Sequence, residues 1–396
     1  MVSDSTVSPV VWHPRPPRAR GDDSARRSQI NGLERISELL EDDPQLARRF
    51  HEVAAYQRRI RVSEYHLTNA CNIRCKGCWF FEGGLDRHTR DETNLDEIEA
   101  FVVRETKQRR INSALVIGGE PVLFPRRLAI FAKHMRHLSI CSNGLKKLPV
   151  EGFEKVGVGV SVWGGGPADD EMRAIKPNGA RFEGLFDTAL ENYRNDRRVT
   201  FVYAVTEGSL EHIEPTVRRI RDNGNPLIFN FYSDYTSEEP IAVARQQELM
   251  AELLRVRELY PRTVISHPYY IRAMVTGRSH WGEFGYDSCP SISRDHPAHG
   301  ERLANGNPVL PLFNSFAADM KSVTFCCTSG RCDGCRDSQA LGSWLLVNMT
   351  RFADDLAQLR TWVELAESWW AQFSWSPYHC HATEESISTT PCEEAL

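Results

Sequence analysis

The stretch VSEYHLTNACNIRCKGC, residues 62–78, decides the fold class, because a β-rich run (62–68) passes directly into a loop carrying Cys71, Cys75 and Cys78. Val62 to Thr68 has the β-branched and aromatic content of a strand. The loop that follows places three thiols at Cys-x3-Cys-x2-Cys spacing. Three ligands are one too few for a closed site. A [4Fe–4S] cube held by three cysteines leaves one iron open, and an open coordination position is what a catalytic metal centre requires. Taken alone, three cysteines also suit a zinc site or no metal at all.

Working outward from this loop, the chain alternates β-rich and helical runs. The strands expected are 62–68, 113–118 (SALVIG), 138–142 (LSICS), 156–162 (VGVGVSV), 199–206 (VTFVYAVT) and 227–233 (LIFNFYS). Helices are expected near 95–109, 125–136, 181–194 and 209–222, with a longer one over 237–260. This βα rhythm implies a parallel sheet covered by helices on its outer face. Six units, rather than eight, imply an incomplete barrel open along one side. Substrate and cofactor are then expected at the C-terminal ends of the strands.

The second strand ends in Gly118-Gly119-Glu120-Pro121, the third in Ser142-Asn143-Gly144, and Ser161 closes the fourth. Two glycines let a backbone approach a ligand closely, a carboxylate and carbonyls oppose an ammonium, and Pro121 stiffens the exit. Asn-Gly and Ser are also ordinary turn residues. Cys141 sits beside Ser142 and acts as a hydrogen-atom donor only if it faces the cavity. Tyr203, Asn230, Tyr232 and Asp234 are candidates to meet substrate if they face inward, since alternate strand residues point to opposite faces. The run Gly164-Gly165-Gly166 lacks the Lys-Ser/Thr of a phosphate loop and reads as a flexible loop over the site.

With the Cys71, Cys75 and Cys78 spacing and GGEP on the next strand, the chain resembles the radical S-adenosylmethionine (SAM) superfamily. The resemblance implies an α/β fold, a partial (β/α)6 barrel, whose [4Fe–4S] cluster cleaves SAM to a 5′-deoxyadenosyl radical. It implies SAM contacts from Gly118, Gly119, Glu120, Pro121, Ser142, Asn143, Ser161 and Trp79, and an electron donor such as flavodoxin or ferredoxin. In one respect the chain departs from the family, many of whose members carry an aromatic residue just before the third cysteine, where this chain has Gly77.

The regions flanking the barrel differ in character. Residues 1–28 combine prolines with mixed charge and are expected to be a disordered arm. Residues 29–61 read as two short amphipathic helices, 62–281 as the barrel, and 282–396 as a cysteine-rich, loop-rich extension. In the extension Cys326-Cys327-x4-Cys332-x2-Cys335 follows Cys289, and loop-rich segments gain stability from a metal staple. The arrangement resembles SPASM and twitch auxiliary-cluster regions, which implies a second [4Fe–4S] cluster on Cys289, Cys327, Cys332 and Cys335. Zinc is the alternative. Cys380 and Cys392 are spare candidates, and helices are expected near 339–347 and 350–373.

Composition narrows the partners. The chain has 396 residues, a net charge of −5, 41% hydrophobic and 26% charged residues, and basic residues scattered among acidic ones. That pattern gives no broad positive field for nucleic acid. No run approaches the roughly 20 apolar residues of a membrane helix, and a signal-peptide core is missing from the first 30, so the expected location is the cytoplasm. Eleven cysteines then point to metal or redox chemistry rather than disulfides. The expected activity is hydrogen abstraction from a small-molecule substrate, for example a natural-product intermediate, because residues 1–60 are too short for the usual winged-helix peptide-recognition module. A peptide-modifying maturase and a non-enzymatic zinc protein are the two competing classes.

Overall fold

The computed structural model describes residues 23–231, 245–276, 293–296, 299–300, 312–324 and 349–371. Two helices lead in, α1 (Asp23–Glu41) and α2 (Pro44–Arg59). The first starts at Asp23, inside the stretch expected to be an arm. Asp43 caps α2 by accepting the Leu46 amide at 2.9 Å, with Pro44 in the first turn, where its missing N–H costs nothing.

The βα units follow in the expected order. Strand β1 (Val62–His66) leads through the cysteine loop to two single-turn helices, α3 (Trp79–Glu82) and α4 (Leu85–His88), and then to α5 (Leu95–Lys107). Next come β2 (Ser113–Ile117) with α6 (Pro125–His134), then β3 (His137–Ser142) and β4 (Val156–Trp163). Helices α7 (Pro167–Arg173) and α8 (Leu185–Asn192) precede β5 (Val199–Val205), and α9 (Ile213–Asp222) precedes β6 (Leu227–Phe231). Helices α10 (Gln246–Leu259) and α11 (Pro268–Thr276) close this part.

Two short strands, β7 (Ser315–Phe316) and β8 (Val323–Thr324), complete one sheet of order β6-β5-β4-β3-β2-β1-β7-β8. Every pairing from β6 to β7 is parallel, and β7 with β8 is antiparallel. The parallel run is therefore seven strands, one more than the rhythm of the sequence gives. The seventh was missed because two residues cannot show a period. It comes from the region assigned to the extension, so that region is partly woven into the barrel.

Alternation along the strands sorts the two faces of the sheet. Tyr65, Val116, Ile140, Val160, Phe201 and Phe229 turn toward the helices and share one core with Phe101, Phe131, Phe186 and Val217. Each such side chain fully removed from water stabilises by roughly 1.5–3 kcal/mol. The opposite, inner face carries Glu64, His66, Cys141, Gly159, Ser161, Val202 and Asn230. Tyr203 is thereby corrected: it lies on the helix-covered face, fully buried, with its hydroxyl donating to the Gly164 carbonyl at 2.9 Å.

A last helix, α12 (Leu356–Ala371), packs on α1, α2 and α11. Trp362 is fully buried against Phe50, and Arg49 grips Glu367 with bonds of 2.8 and 2.6 Å. Among the described residues no helix is long and apolar enough to cross a membrane.

Candidate active site

The cysteine loop is built from both sides by bonds that do not use its sulfurs. At its entrance Asp91 accepts from the Thr68 hydroxyl (2.5 Å), the Asn69 amide (2.8 Å) and the Arg127 guanidinium (2.9 Å), and Arg127 also reaches the Leu67 carbonyl. On the opposite side the Arg74 amide donates to the Ile175 carbonyl at 2.7 Å, and the Lys76 amide to the Met172 carbonyl at 2.8 Å. The loop thus bridges the end of β1 and the segment at the end of α7. Cys78 starts α3, its carbonyl accepting the Phe81 and Glu82 amides. Gly77 has φ +69°, a left-handed conformation that favours glycine, which explains why no aromatic residue stands there.

The end of β2 is drawn against the loop entrance. The Gly119 amide donates to the Thr68 carbonyl and the Glu120 amide to the Ala70 carbonyl, both at 2.8 Å. Gly118 has φ +124°, and a Cβ on Gly119 would lie 2.1 Å from the Ala70 oxygen, so both positions require glycine. Glu120 is buried and faces inward to the protein: Oε1 accepts the Val122 amide at 3.0 Å and Oε2 the Asn143 amide at 2.7 Å. Burial pushes its carboxyl up to about 7, against the pull of these amides.

Asn143 works toward the loop as well. Its Nδ2 donates to Asn72 Oδ1 at 2.7 Å and lies 3.9 Å from Cys71 Sγ, while its Oδ1 accepts the Leu145 amide. The Ser142 hydroxyl accepts the Gly144 amide at 3.1 Å and is buried behind the strand. Ser161 is half-buried on the inner face, and Pro121 opens a short helical turn. Trp79 stands edge-on to His66, with ring centroids 5.6 Å apart. Cys141 is exposed on the inner face, its register partner on β4 being Gly159, which supplies no side chain.

None of Cys71, Cys75, Cys78 and Cys141 is in a disulfide. Cys71 and Cys75 pack against Ile73, Ala174 and Leu185. Burial pushes the Cys71 thiol up to about 11 and Cys75 up to about 12, and raises Cys78 as well. As bare thiols they stay protonated at neutral pH, and a bound cationic centre is what deprotonates such a set. Among the described residues no three His, Cys, Asp or Glu side chains are gathered as one metal ion would need. The three thiols stand on one pre-built loop outside any disulfide, with Cys71 and Cys78 both acting by charge on Cys75, and three cysteines are a donor set that an iron–sulfur group takes.

Four residues escaped the sequence reading: Asp91, Arg127, Asp169 and Arg173. Asp169 and Arg173 are fully buried and paired at 2.9 Å, one helical turn apart on α7. Their only sequence signal is opposite charge at i,i+4 spacing, which ordinarily marks a solvated face. The Gly164–Gly166 run is a packed turn, not a flexible loop: all three have positive φ, and a Cβ on Gly165 would lie 2.5 Å from the Tyr203 hydroxyl. Asn230 lies on the inner face, half-buried. Tyr232, Asp234, Cys289, Cys326, Cys327, Cys332, Cys335, Cys380 and Cys392 lie outside the described residues.

Residues 65–244 match the family model of the Radical SAM superfamily. A GTP 3′,8-cyclase of Alkaliphilus metalliredigens (strain QYMF) is 34% identical over 68 residues, which is 17% of this chain and 21% of that protein. The chain thus spans about a fifth of the length of the curated relative it matches. Native anSMEcpe with bound AdoMet superposes with a TM-score of 0.43 at 16% identity, over 59% of this chain and 70% of that one. Streptococcus suis SuiB bound to precursor peptide SuiA gives 0.38 at 17% identity, over 53% and 49%. The segment 65–244, which contains the cysteine loop and the strand ends around it, is thus a domain of the Radical SAM superfamily.

Proposed function

We propose that Cys71, Cys75 and Cys78 hold the [4Fe–4S] cluster that the superfamily implies, and that SAM lies beside it along the ends of β2, β3 and β4. The observation that carries this reading is the loop itself, which backbone bonds tie to Gly119 and Glu120 on one side and to Met172 and Ile175 on the other, with its three thiols in no disulfide. When bound, the cluster supplies the electron that cleaves SAM and so starts hydrogen abstraction. The chain's own residues do the positioning. The carbonyls of Gly118 and Gly119 meet the ammonium of SAM, since the Glu120 carboxylate is already engaged by two amides. Pro121 fixes that turn, Ser142 and Asn143 brace it from behind, Ser161 offers a hydroxyl from the inner face, and Trp79 packs over the cofactor.

The substrate in this proposal is a small molecule on the inner face, where Cys141 is exposed and Gly159, Ser161 and Asn230 are half-buried; Cys141 is the candidate hydrogen-atom donor. Helices α1 and α2 support this over a peptide, because they are used in packing on α12 and not as a separate recognition module. An electron donor such as flavodoxin or ferredoxin completes the system, and a second cluster on Cys289, Cys327, Cys332 and Cys335 is the further expectation, with zinc as its alternative. The deciding experiment is anaerobic incubation of the reconstituted chain with SAM, dithionite and metabolite pools. The expected result is 5′-deoxyadenosine together with one consumed small molecule. Neither product forming with a fully loaded protein would sink the reading, and consumption of a precursor peptide instead would overturn the substrate class.

A further inference from the structure

Arg173 is a buried charged side chain that makes three hydrogen bonds at the site, and nothing in the reading above uses it. It is 1% exposed on α7 and ties three elements together: Nη1 donates to the Ser161 carbonyl (2.6 Å) and to Asp169 Oδ1 (2.9 Å), and Nη2 to the Asn143 carbonyl (3.3 Å). Asp169 also accepts the Trp163 amide at 2.7 Å. The adjoining backbone, at Met172 and Ile175, is the segment that holds the cysteine loop, and Ala174 packs against Cys71 and Cys75. Nε of Arg173 and Oδ2 of Asp169 are buried without a hydrogen-bond partner. A buried donor left without a partner is destabilising, so its retention points to a partner acquired on loading. The Arg173 charge opposes the upward push that burial gives the Cys75 thiol, which places the guanidinium beside that ligand.

We propose that the Arg173–Asp169 pair is a redox-tuning device, with Arg173 donating to the Cys75 sulfur and raising the reduction potential of the group held there while Asp169 limits the rise. The inference rests on the proposed cluster at Cys71, Cys75 and Cys78. Reduction adds one negative charge to the cluster. A buried cation and a hydrogen bond at a ligand sulfur both stabilise that charge, and both act strongly where water is excluded. Asp169 carries the opposite sign at the same place. Removing the two partners should therefore move the potential in opposite directions, which a purely structural role would not do.

The test is an EPR-monitored redox titration of the anaerobically reconstituted full-length chain without SAM. The transition that disappears on replacing Cys71, Cys75 and Cys78 by alanine identifies the relevant cluster. At the wild-type midpoint, Arg173→Gln should lower the ratio of reduced to oxidised cluster about tenfold, equivalent to 59 mV for one electron. Asp169→Asn should raise that ratio, and Arg173→Lys, which keeps charge but not the planar fork, should fall between wild type and the glutamine variant. Equal midpoints in loaded variants would overturn the inference, as would shifts of the same sign in Arg173→Gln and Asp169→Asn. Loss of iron from both Arg173 variants, with Asp169→Asn unchanged, would show that the arginine only holds the loop. If wild type shows no transition that depends on the three cysteines, the cluster assignment itself fails.

Discussion

Oε2 of Glu120 accepts the Asn143 backbone amide at 2.7 Å, so a buried carboxylate joins the end of β2 to the end of β3 directly beneath the cysteine loop. Oε1 takes the Val122 amide, and a glutamine has only one oxygen for these two donors. Glu120→Gln should therefore destabilise the chain by about 1–3 kcal/mol at neutral pH, the cost of an unmet buried amide. Urea unfolding measures it.

The same residue sets a pH dependence. Burial lifts its carboxyl from 4.5 to about 7, so the folded chain holds this proton more tightly than the unfolded one. Its contribution to stability is then complete below about pH 4.5 and is lost as pH rises through 7. In the metal-free chain, the difference in unfolding free energy between wild type and Glu120→Gln should change across that window. A difference that stays flat from pH 4.5 to 7.5 would show that the carboxyl does not titrate there.

Gly119→Ala tests the close approach of β2 to the loop. Its Cβ would fall 2.1 Å from the Ala70 oxygen, a backbone atom that cannot swing aside. Either the loop or the strand end must move, at a cost of roughly 2–4 kcal/mol. Iron content after reconstitution should fall with it, whereas Gly152→Ala, where a Cβ meets nothing within 4 Å, should keep full iron despite its positive φ.

Replacing Cys71, Cys75 and Cys78 together by alanine should abolish 5′-deoxyadenosine formation and remove about four irons per chain. The far-ultraviolet circular dichroism should be nearly unchanged, because the loop is held by Asp91, Arg127 and backbone bonds. Cleavage of SAM persisting in this variant would end the cluster assignment.

The parts of this architecture that repeat were legible in the sequence, and the parts that depend on single contacts were not. Six strands show themselves because Val, Ile and Phe recur over five to eight residues, as in Val156–Trp163. Ser315–Phe316 is invisible by that measure, and is placed by Phe316 stacking on Tyr65 at 5.7 Å and by Ser315 donating to Glu64 at 2.8 Å. The cysteine loop and GGEP were readable because local spacing encodes them. Arg173 was not, because its partners Ser161 and Asn143 are brought to it only by the closing of the sheet. The glycine run was misread for the same reason: its tightness comes from Tyr203 and Thr216, residues on other elements.

Cys141 makes a prediction that separates positioning from chemistry. Its side chain is exposed on the inner face, so Cys141→Ser should change stability by less than about 0.5 kcal/mol. As a hydrogen-atom donor it acts after SAM cleavage, so the variant should still form 5′-deoxyadenosine while the final product is lost or altered. Mass spectrometry of the product pool checks this, and an unchanged product at an unchanged rate would remove the thiol from the reaction.

The last prediction concerns where the barrel ends. Trp362 lies in the region expected to be a separate extension, yet it is fully buried and packs against Phe50 of α2, and Tyr56 of the same helix meets Trp370 edge-on. If α12 belongs to the barrel's core, removing the Trp362 ring should cost the whole fold about 3–5 kcal/mol, as large cavities do in close-packed interiors. If α12 were a peripheral attachment, the loss would instead appear as a separate early transition, with the sheet melting as before. The two outcomes are told apart by unfolding Trp362→Ala in urea and following helix signal and tryptophan fluorescence together. Coincident curves, shifted equally to lower denaturant, are expected. Their separation would mean that the helix-capped end of the barrel folds as its own unit, and that the boundary expected near residue 282 is real in energy although β7 crosses it in space.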